Sequence, residues 1–276
     1  MSLPLFVHLT CKAALNTICS VSVHGLPHLE AALSAVRTNG LLTRNIFASL
    51  SPSLLTPTSF KSHLDSTKQK SLDDPLTWGI LPTKYFLNAR TIRWTLGASD
   101  VMFTNPVFSA FFRRGQVLET VRGIGIYQPS VDVAIDKLNN GNWVHFFSEG
   151  KINQPNTYPK HDGVAHLPRF KWGVGRVLME ASTLPVIIPM WITGFDSLMP
   201  EGRSFPFKYL PRPGNHLSVT FGAPLDLREL ETLCIAPRDT DAQIAQTRSQ
   251  MTAVLHRAVE GLGRSVSGNL LARTPQ

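Results

Sequence analysis

Cysteine is scarce in this sequence, and long apolar runs are absent from it. Cys11, Cys19 and Cys234 are odd in number and lack the paired spacing of metal ligands, so we predict neither a disulfide framework nor a metal site. No stretch of about 18 or more uncharged apolar residues occurs, so we predict no classical membrane-spanning helix. Residues 1–23 lack the pattern of a signal or transit peptide, and we expect either an interfacial anchor or a frayed helix there.

Charged residues are also few, at 17% of the 276 residues, but they are unbalanced. The 27 lysines and arginines against 19 aspartates and glutamates give a formal net charge of +8, which favours an anionic partner. The basic residues are scattered among apolar and aromatic ones, and zinc-finger spacing, an RNP-type motif and a lysine-rich tail are all missing. We therefore predict an anionic membrane surface as partner and no nucleic acid.

Helices and strands alternate along most of the chain. The predicted helices cover Pro27–Thr38, the stretch between Asn105 and Gly115, Ser130–Asn139, Trp172–Ala181 and Asp239–Gly263, and the predicted strands are Gln116–Val121, Trp143–Phe147, Pro185–Trp191 and His216–Phe221. This alternation predicts a single α/β domain whose mixed or largely parallel sheet is flanked by helices. In such sheets the chemistry lies in loops at the carboxyl ends of the strands.

Residues 44–70 interrupt this regularity. Serine, threonine and proline dominate there without any period, and a structureless stretch of this length is unusual inside a compact domain. We therefore divide the chain into an N-terminal helical or interfacial segment with a first strand beginning at Leu41 (1–43), an irregular insert (44–70), a core (71–227) and a C-terminal helix and tail (228–276).

Four sequence blocks follow the insert in a fixed order. They are Ser71–Gly79, Gly115–Gly123, Phe146–Asn153 and Leu184–Trp191. Each block alone is a weak signal, but together they resemble the glycerolipid acyltransferase superfamily. Arg169–Arg176, with Lys151-Ile152-Asn153, further resembles its transacylase branch. The resemblance extends from about residue 71 to residue 225, so residues 71–227 would form the acyltransferase core.

The resemblance implies roles for individual residues. Its catalytic motif places a histidine base five positions before an aspartate, which here is Asp73 and would orient the base and support its positive charge. Arg122 would pair with a substrate phosphate. Glu149, Gly150 and Gly115 would hold the glycerol or phosphate part of the substrate. Without the resemblance, Asp73 is typical of a helix N-cap, Arg122 of a surface arginine, and Glu149-Gly150 of a tight turn.

Two further stretches suit a membrane interface. The resemblance implies interfacial attachment around Leu184–Met199, and the candidate membrane and headgroup residues are Trp191, Phe195, Arg169, Lys171 and Arg176. The alternatives are a core strand with its turn for the first two residues and a solvated helix face for the three basic ones. The aromatic cluster Phe103–Phe112 faces either a membrane or the core.

Lys68 stands where the resemblance requires the histidine. Lysine is an ammonium ion at neutral pH, so Lys68 would act as a base only if burial or a cationic neighbour lowered its pKa strongly. His63 would need a looped-back geometry, and His145 is typical of a core histidine. The abrupt change of composition at Ser71 is what a mis-joined exon or a retained intron produces. We hypothesise that the histidine was lost in this way, and reading the transcript across codons 40–75 tests the hypothesis.

The resemblance implies a phospholipid–lysophospholipid transacylase that remodels cardiolipin, without acyl-CoA, metal or other cofactor. It would be a peripheral protein of a mitochondrial membrane facing the intermembrane space. A CoA-dependent lysophosphatidate or glycerol-phosphate acyltransferase shares all four blocks and is the enzymatic alternative. A catalytically silent lipid-binding homologue is the alternative from another class, because the histidine is missing. Neither oligomeric state nor acyl-chain preference follows from the sequence.

Overall fold

Seven strands form one sheet in the computed structural model, which describes residues 3–38, 46–50, 79–147, 155–171, 173–198, 200 and 211–272. The strands are β1 (Cys19–His24), β2 (Ile46–Leu50), β3 (Trp94–Ala98), β4 (Val117–Thr120), β5 (Trp143–Phe147), β8 (Val186–Thr193) and β9 (Asn215–Phe221), with β6 (Lys160–His161) and β7 (Val164–Ala165) as a separate two-stranded pair. The helices are α1 (Leu3–Ile18), α2 (Leu26–Thr38), α3 (Ser99–Met102), α4 (Pro106–Arg114), α5 (Pro129–Asn139), α6 (Gly173–Glu180), α7 (Phe195–Leu198), α8 (Arg228–Ile235) and α9 (Asp241–Ser267). Short 3-10 turns cover Thr83–Phe86, Pro155–Thr157 and Gly268–Leu270.

The sheet is mixed and largely parallel, as predicted. Its strand order is β1-β9-β8-β2-β5-β3-β4. The five strands from β8 to β4 run parallel to one another, whereas β9 is antiparallel to β8 and carries β1 parallel to itself. We call the side at which the five parallel strands end the carboxyl edge, and the opposite side the amino edge.

Helices cover both faces of this sheet. On one face, α1 and α2 bury Leu15, Leu29 and Leu33 in one apolar cluster. On the other face, α5, α6, α8 and α9 form a second cluster. Trp143 and Val144, which are adjacent on β5, belong to opposite clusters, as the alternation of side chains along a strand requires. The predicted α/β class with flanking helices is confirmed.

The predicted helices and strands agree with the structure to within one or two residues, except at the C-terminal end of α9. The Asn105 side chain accepts a hydrogen bond from the Phe108 N–H at 2.9 Å, so α4 begins at its predicted cap. Helix α9 passes through Gly263 and ends at Gly268, whose φ of 67° suits a residue without a side chain. Gly263 instead lies against Trp191, where the absence of a side chain allows close packing.

Three strands differ from the sequence prediction. Strand β1 occupies Cys19–His24, where an anchor or helix end was expected. Strand β3, at Trp94–Ala98, was not predicted. Strand β2, at Ile46–Leu50, lies between β5 and β8, so the expectation of irregular structure is wrong for these five residues of the 44–70 insert. Their short apolar run was masked by the Ser/Thr/Pro composition around it.

Residues 41–43, expected to begin the first strand, lie outside the described residues, as do residues 51–70 of the insert. Among the helices described above, none combines the length and the apolar character that a bilayer-spanning segment needs.

Candidate active site

Arg122 lies at the carboxyl edge, where β4 ends at Thr120. The neighbouring parallel strand β3 ends at Ala98 and is followed by Asp100 in α3. The Arg122 Nη1 atom donates to Asp100 Oδ2 at 3.2 Å, and the two side chains are 43% and 46% exposed. The arginine expected to bind phosphate is therefore solvent-accessible, and an aspartate from the next strand already partners it.

The loop that carries Arg122 is held by the buried side chain of Gln128, which is 6% exposed. Gln128 Oε1 accepts from the Val121 N–H at 2.9 Å, and Nε2 donates to the carbonyls of Gly125 at 2.7 Å and Val121 at 3.4 Å. Gly123 and Gly125 have φ values of 89° and 95°, in the region that favours glycine. One amide thus fixes both ends of a tight turn around Arg122.

Two hydroxyl groups set the orientation of this amide. Ser130 Oγ donates to Gln128 Oε1 at 3.3 Å, and Thr120 Oγ1 donates to Ser130 Oγ at 3.2 Å. With Oε1 accepting from both Ser130 and the Val121 N–H, Nε2 is left to donate to the two carbonyls. Sequence reasoning missed Gln128 because a single buried glutamine has no periodic signal. The available hint was the Gly-x-Gly turn that ends three residues before it.

The second half of the loop rests on two buried arginines. Arg176 donates to the Ile126 carbonyl at 2.8 Å and forms ion pairs with Asp132 and Glu180 at 2.6 and 2.8 Å. Its hydrogen bond to Glu180 is the main factor that raises the pKa of Arg176, although burial acts in the opposite direction. The other arginine, Arg248, donates from Nη2 to the Tyr127 hydroxyl at 3.0 Å. The headgroup role predicted for Arg176 is corrected accordingly: its donors are used inside the protein.

Trp191 and Phe195 occupy core positions, at 2% and 3% exposure. The Trp191 ring lies against Gly263, where a methyl group would overlap it, and its Nε1 donates to Ser267 Oγ at 2.9 Å. Phe195 begins α7 and belongs to the cluster on the α1–α2 face. The membrane prediction for these two residues is corrected to the core-strand alternative.

Gly115 lies at the amino edge, away from Arg122. Its N–H donates to the Phe111 carbonyl at 3.0 Å and caps α4 just before β4 begins. Seven residues separate it from Arg122, which at the rise of a strand is roughly 20 Å. The substrate-binding role predicted for Gly115 is replaced by helix capping.

Arg169 and Lys171 are exposed in the segment before α6. Their predicted contact with anionic headgroups stays a prediction.

Lys68, Asp73, Glu149 and Gly150 lie outside the described residues, so their predicted roles stay predictions. The chain just beyond the motif is well anchored: Gly79 and Leu81 are buried, and the Leu81 carbonyl accepts from Lys12 on α1 at 3.4 Å.

No histidine occurs among the described residues that follow β3, β4 and β8 at the carboxyl edge, namely 99–105, 121–128 and 194–198. His145 is fully buried within β5, as predicted for a core histidine. This described part of the edge therefore supplies a cation for phosphate but no imidazole base.

Comparison with known proteins agrees with this geometry. Residues 67–193 match the Acyltransferase family, a range that begins just before Lys68 and ends at the last residue of β8. It includes the four sequence blocks and the Arg122 loop. Residues 67–193 are an acyltransferase domain.

The relatives of this acyltransferase domain include tafazzins. The chain is 38% identical to tafazzin of Drosophila melanogaster over 164 residues, covering 59% of this chain and 40% of the relative. It is 31% identical to tafazzin of Saccharomyces cerevisiae over 251 residues, covering 78% and 59%. It is also 36% identical to an N-acylphosphatidylethanolamine synthase of Arabidopsis thaliana over 162 residues, covering 58% and 54%. The acyltransferase domain is thus tafazzin-like, and the chain spans 40% to 59% of the length of these relatives.

Proposed function

We propose that this protein is a tafazzin-like transacylase that exchanges acyl chains between phospholipids and lysophospholipids, with cardiolipin among its substrates. The observation that carries this proposal is the acyltransferase match over residues 67–193 together with the similarity to tafazzins from two organisms. The accessible guanidinium of Arg122 supports it, since a phospholipid substrate brings a phosphate. By the same similarity the protein acts peripherally on a mitochondrial membrane, on the intermembrane-space side.

The reaction exchanges one ester for another. The free hydroxyl of the lysophospholipid attacks the ester carbonyl of the donor, and a base accepts the hydroxyl proton. The new ester forms as the donor's ester bond breaks, and the proton returns to the glycerol oxygen that leaves. The donor thereby becomes a lysophospholipid, so the exchange needs no acyl-CoA. Asp73 would orient the base, and Arg122 would hold a phosphate of the substrate.

The residue at the base position favours a second candidate function. Lys68 stands where the family motif has histidine, and a lysine ammonium cannot accept a proton at neutral pH. A protein that binds phospholipid without transferring acyl chains is therefore the second candidate. The two candidates make opposite predictions for Lys68→His. The substitution restores or raises exchange if the rest of the catalytic site is intact, and it has no effect in a lipid-binding homologue.

The decisive experiment offers the full chain one labelled acyl donor and two acyl acceptors in one vesicle preparation. The vesicles contain phosphatidylcholine with isotope-labelled acyl chains, monolysocardiolipin and phosphatidylethanolamine, and the products are identified by mass spectrometry with and without added CoA. We expect label in cardiolipin without CoA from the wild type and more of it from Lys68→His. Label from Lys68→His alone would reject transacylase activity for the wild type and show that Lys68 is the cause. Transfer only in the presence of CoA would indicate a CoA-dependent acyltransferase, and label on an amide nitrogen would indicate N-acylation. Vesicle binding without transfer by either protein would identify the silent homologue.

A further inference from the structure

Large exposed apolar side chains gather at the carboxyl edge, beside Arg122. Six of them, which we call the edge patch, are Val107, Phe108, Val121, Ile124, Tyr127 and Phe147. Exposed apolar residues that occur singly are ordinary on a protein surface, whereas several of them at one edge of the sheet, beside a candidate site, indicate a binding surface.

The sheet topology explains why these residues lie together. Strands β5, β3 and β4 are adjacent and parallel, so their carboxyl ends meet at one edge. Phe147 is the last residue of β5, and the loop of Val121, Ile124 and Tyr127 follows β4. Helix α4 runs from the end of β3 back to the start of β4, so its first turn, with Val107 and Phe108, lies at the carboxyl edge.

The edge patch is built on supported backbone. The Asn105 side chain caps α4 directly before Val107 and Phe108. Gln128 fixes the turn around Ile124 by its bonds to Val121 and Gly125. The supported backbone therefore keeps these apolar side chains exposed to solvent, and binding to an apolar partner would remove them from water.

Positive charge lies beside the edge patch. Arg122 is within it, and Arg169 and Lys171 are exposed just before α6. The first turn of α6 contacts the same loop, because Arg176 donates to the Ile126 carbonyl at 2.8 Å. The nearby acidic groups Asp100 and Asp132 are each already paired with an arginine. Apolar groups with a cationic margin suit an anionic lipid surface, since apolar side chains enter the acyl boundary while arginine and lysine meet phosphates.

The buried positions of Trp191 and Phe195 strengthen this choice. Trp191 and Phe195, the two residues expected to attach the protein to a membrane, lie in the core and are not available for such a contact. We infer that the edge patch is the face that inserts into the headgroup region of an anionic bilayer. In this orientation Arg122 meets a lipid phosphate while the acyl chains of that lipid stay in the bilayer. The identity of the lipid as substrate rests on the proposed function, but the insertion does not require catalysis.

A matched pair of isoleucines tests the inference. Ile124 in the edge patch is 60% exposed, and Ile235 at the end of α8 is 85% exposed. Ile235 lies at the amino edge for two reasons. Strand β9 is antiparallel to β8, so the carboxyl end of β9, which α8 follows, is at that edge. Arg238, three residues after Ile235, donates to the Met179 carbonyl near the end of α6. Each is substituted by glutamate and, separately, by tryptophan. Flotation with phosphatidylglycerol-containing vesicles then measures the membrane-bound fraction, and thermal unfolding checks the fold.

We expect Ile124→Glu to lower vesicle partitioning about tenfold, the factor associated with burying one such side chain. We expect Ile124→Trp to raise it without lowering the melting temperature, which separates this gain from binding caused by misfolding. Both substitutions at Ile235 should leave partitioning unchanged. Equal effects at the two positions, no effect at Ile124, or a wild-type protein that does not bind anionic vesicles would overturn the inference. Suppose instead that vesicle binding changes at Ile124 and not at Ile235, and that no acyl exchange is detected. This result would reject the proposed activity and still support the edge patch as the membrane face.

Discussion

The side-chain amide of Gln128 engages both polar groups of Val121. The Val121 N–H donates to Oε1 at 2.9 Å, and Nε2 donates to the Val121 carbonyl at 3.4 Å. Val121 directly precedes Arg122, so a residue buried beneath the loop sets the path of the backbone that presents the guanidinium. Gln128 is thus a positioning residue for phosphate binding.

Replacing this amide by an apolar side chain should impair substrate binding more than turnover. Gln128→Leu leaves the partly buried N–H of Val121 and carbonyl of Gly125 without their partner, which costs about 1–3 kcal/mol of unfolding free energy. We expect a higher KM for phospholipid with a smaller change in kcat, because Arg122 is displaced while the reacting groups are not. Steady-state acyl exchange and urea unfolding, measured on the same preparations, give both quantities.

Thr91→Val is the matched control for Gln128→Leu. The Thr91 hydroxyl is buried and donates to the Tyr85 carbonyl at 2.6 Å, at the amino edge and away from the Arg122 loop. It should lower stability by a comparable amount without changing KM. If both substitutions raised KM equally, the effect of Gln128 would be one of general stability.

Removing the charge of Asp100 should strengthen the binding of anionic lipid. Asp100 and Arg122 are both largely exposed, and such surface pairs contribute only about 0–1 kcal/mol to stability, so Asp100→Asn should unfold like the wild type. It should lower KM by about two- to fivefold, since Arg122 no longer has to break its ion pair with Asp100 before it binds the lipid phosphate. Arg122→Ala should raise KM, and Arg122→Lys should restore only part of the binding because lysine lacks the planar fork.

The control for Asp100→Asn uses the Arg113–Glu119 pair, which joins the end of α4 to β4 at 2.8 Å. Glu119→Gln releases Arg113, which is more exposed than Arg122 and lies nearer the amino edge. It should leave KM unchanged. A decrease of KM in both variants would show that net charge, rather than the position of Arg122, controls lipid binding.

The parts of the site that were predictable from sequence depend on local signals. The Asn105-Pro106 cap acts within a few residues of itself, so α4 was predicted with its ends nearly correct, and the strand before Arg122 was predicted to within one residue at each end. Asp100 was missed because it follows β3, a strand without a clear pattern: Gly97 in its middle is required by the close approach of Met102 and Val117.

Trp191 shows where a local signal is ambiguous. A tryptophan at the end of an apolar strand is equally typical of a membrane boundary and of a core. Gly263 and Ser267, more than seventy residues later, determine that Trp191 is a core residue. Gly263 leaves space for its ring, and the Ser267 hydroxyl accepts from its N–H. No pattern around Trp191 itself contains this information.

Glu260 should make the fold sensitive to acid. Burial on its own raises the pKa of this carboxyl, but hydrogen bonds from the Leu167 N–H and from Arg264 outweigh it and leave the pKa below its usual value. Because the pKa is lower in the folded state, the stabilisation is complete above the pKa of the unfolded chain and is lost as the pH falls through the folded-state pKa. Urea unfolding from neutral to acidic pH should show this loss.

Glu260→Gln identifies the source of the acid sensitivity. At neutral pH it should lower the free energy of unfolding by about 1–3 kcal/mol, because the Arg264 side chain and the Leu167 N–H lose a charged acceptor. The difference from the wild type should shrink as the pH falls below the ordinary range of a glutamate. Glu231→Gln, at an exposed site on α8, should show no such convergence. A pH-independent difference for Glu260→Gln would mean that packing, and not the carboxylate, is responsible.

Substitutions around Trp191 should change stability and leave membrane binding intact. Trp191→Phe removes the hydrogen bond to Ser267, worth about 0.5–1.5 kcal/mol, and some packing. Gly263→Ala places a methyl group in the Trp191 ring, and overpacking of this kind costs about 1–3 kcal/mol. Both variants should melt earlier yet bind anionic vesicles like the wild type at temperatures where they are folded. Weaker binding by folded Trp191→Phe would return the membrane contact to β8 and would contradict its assignment to the edge patch.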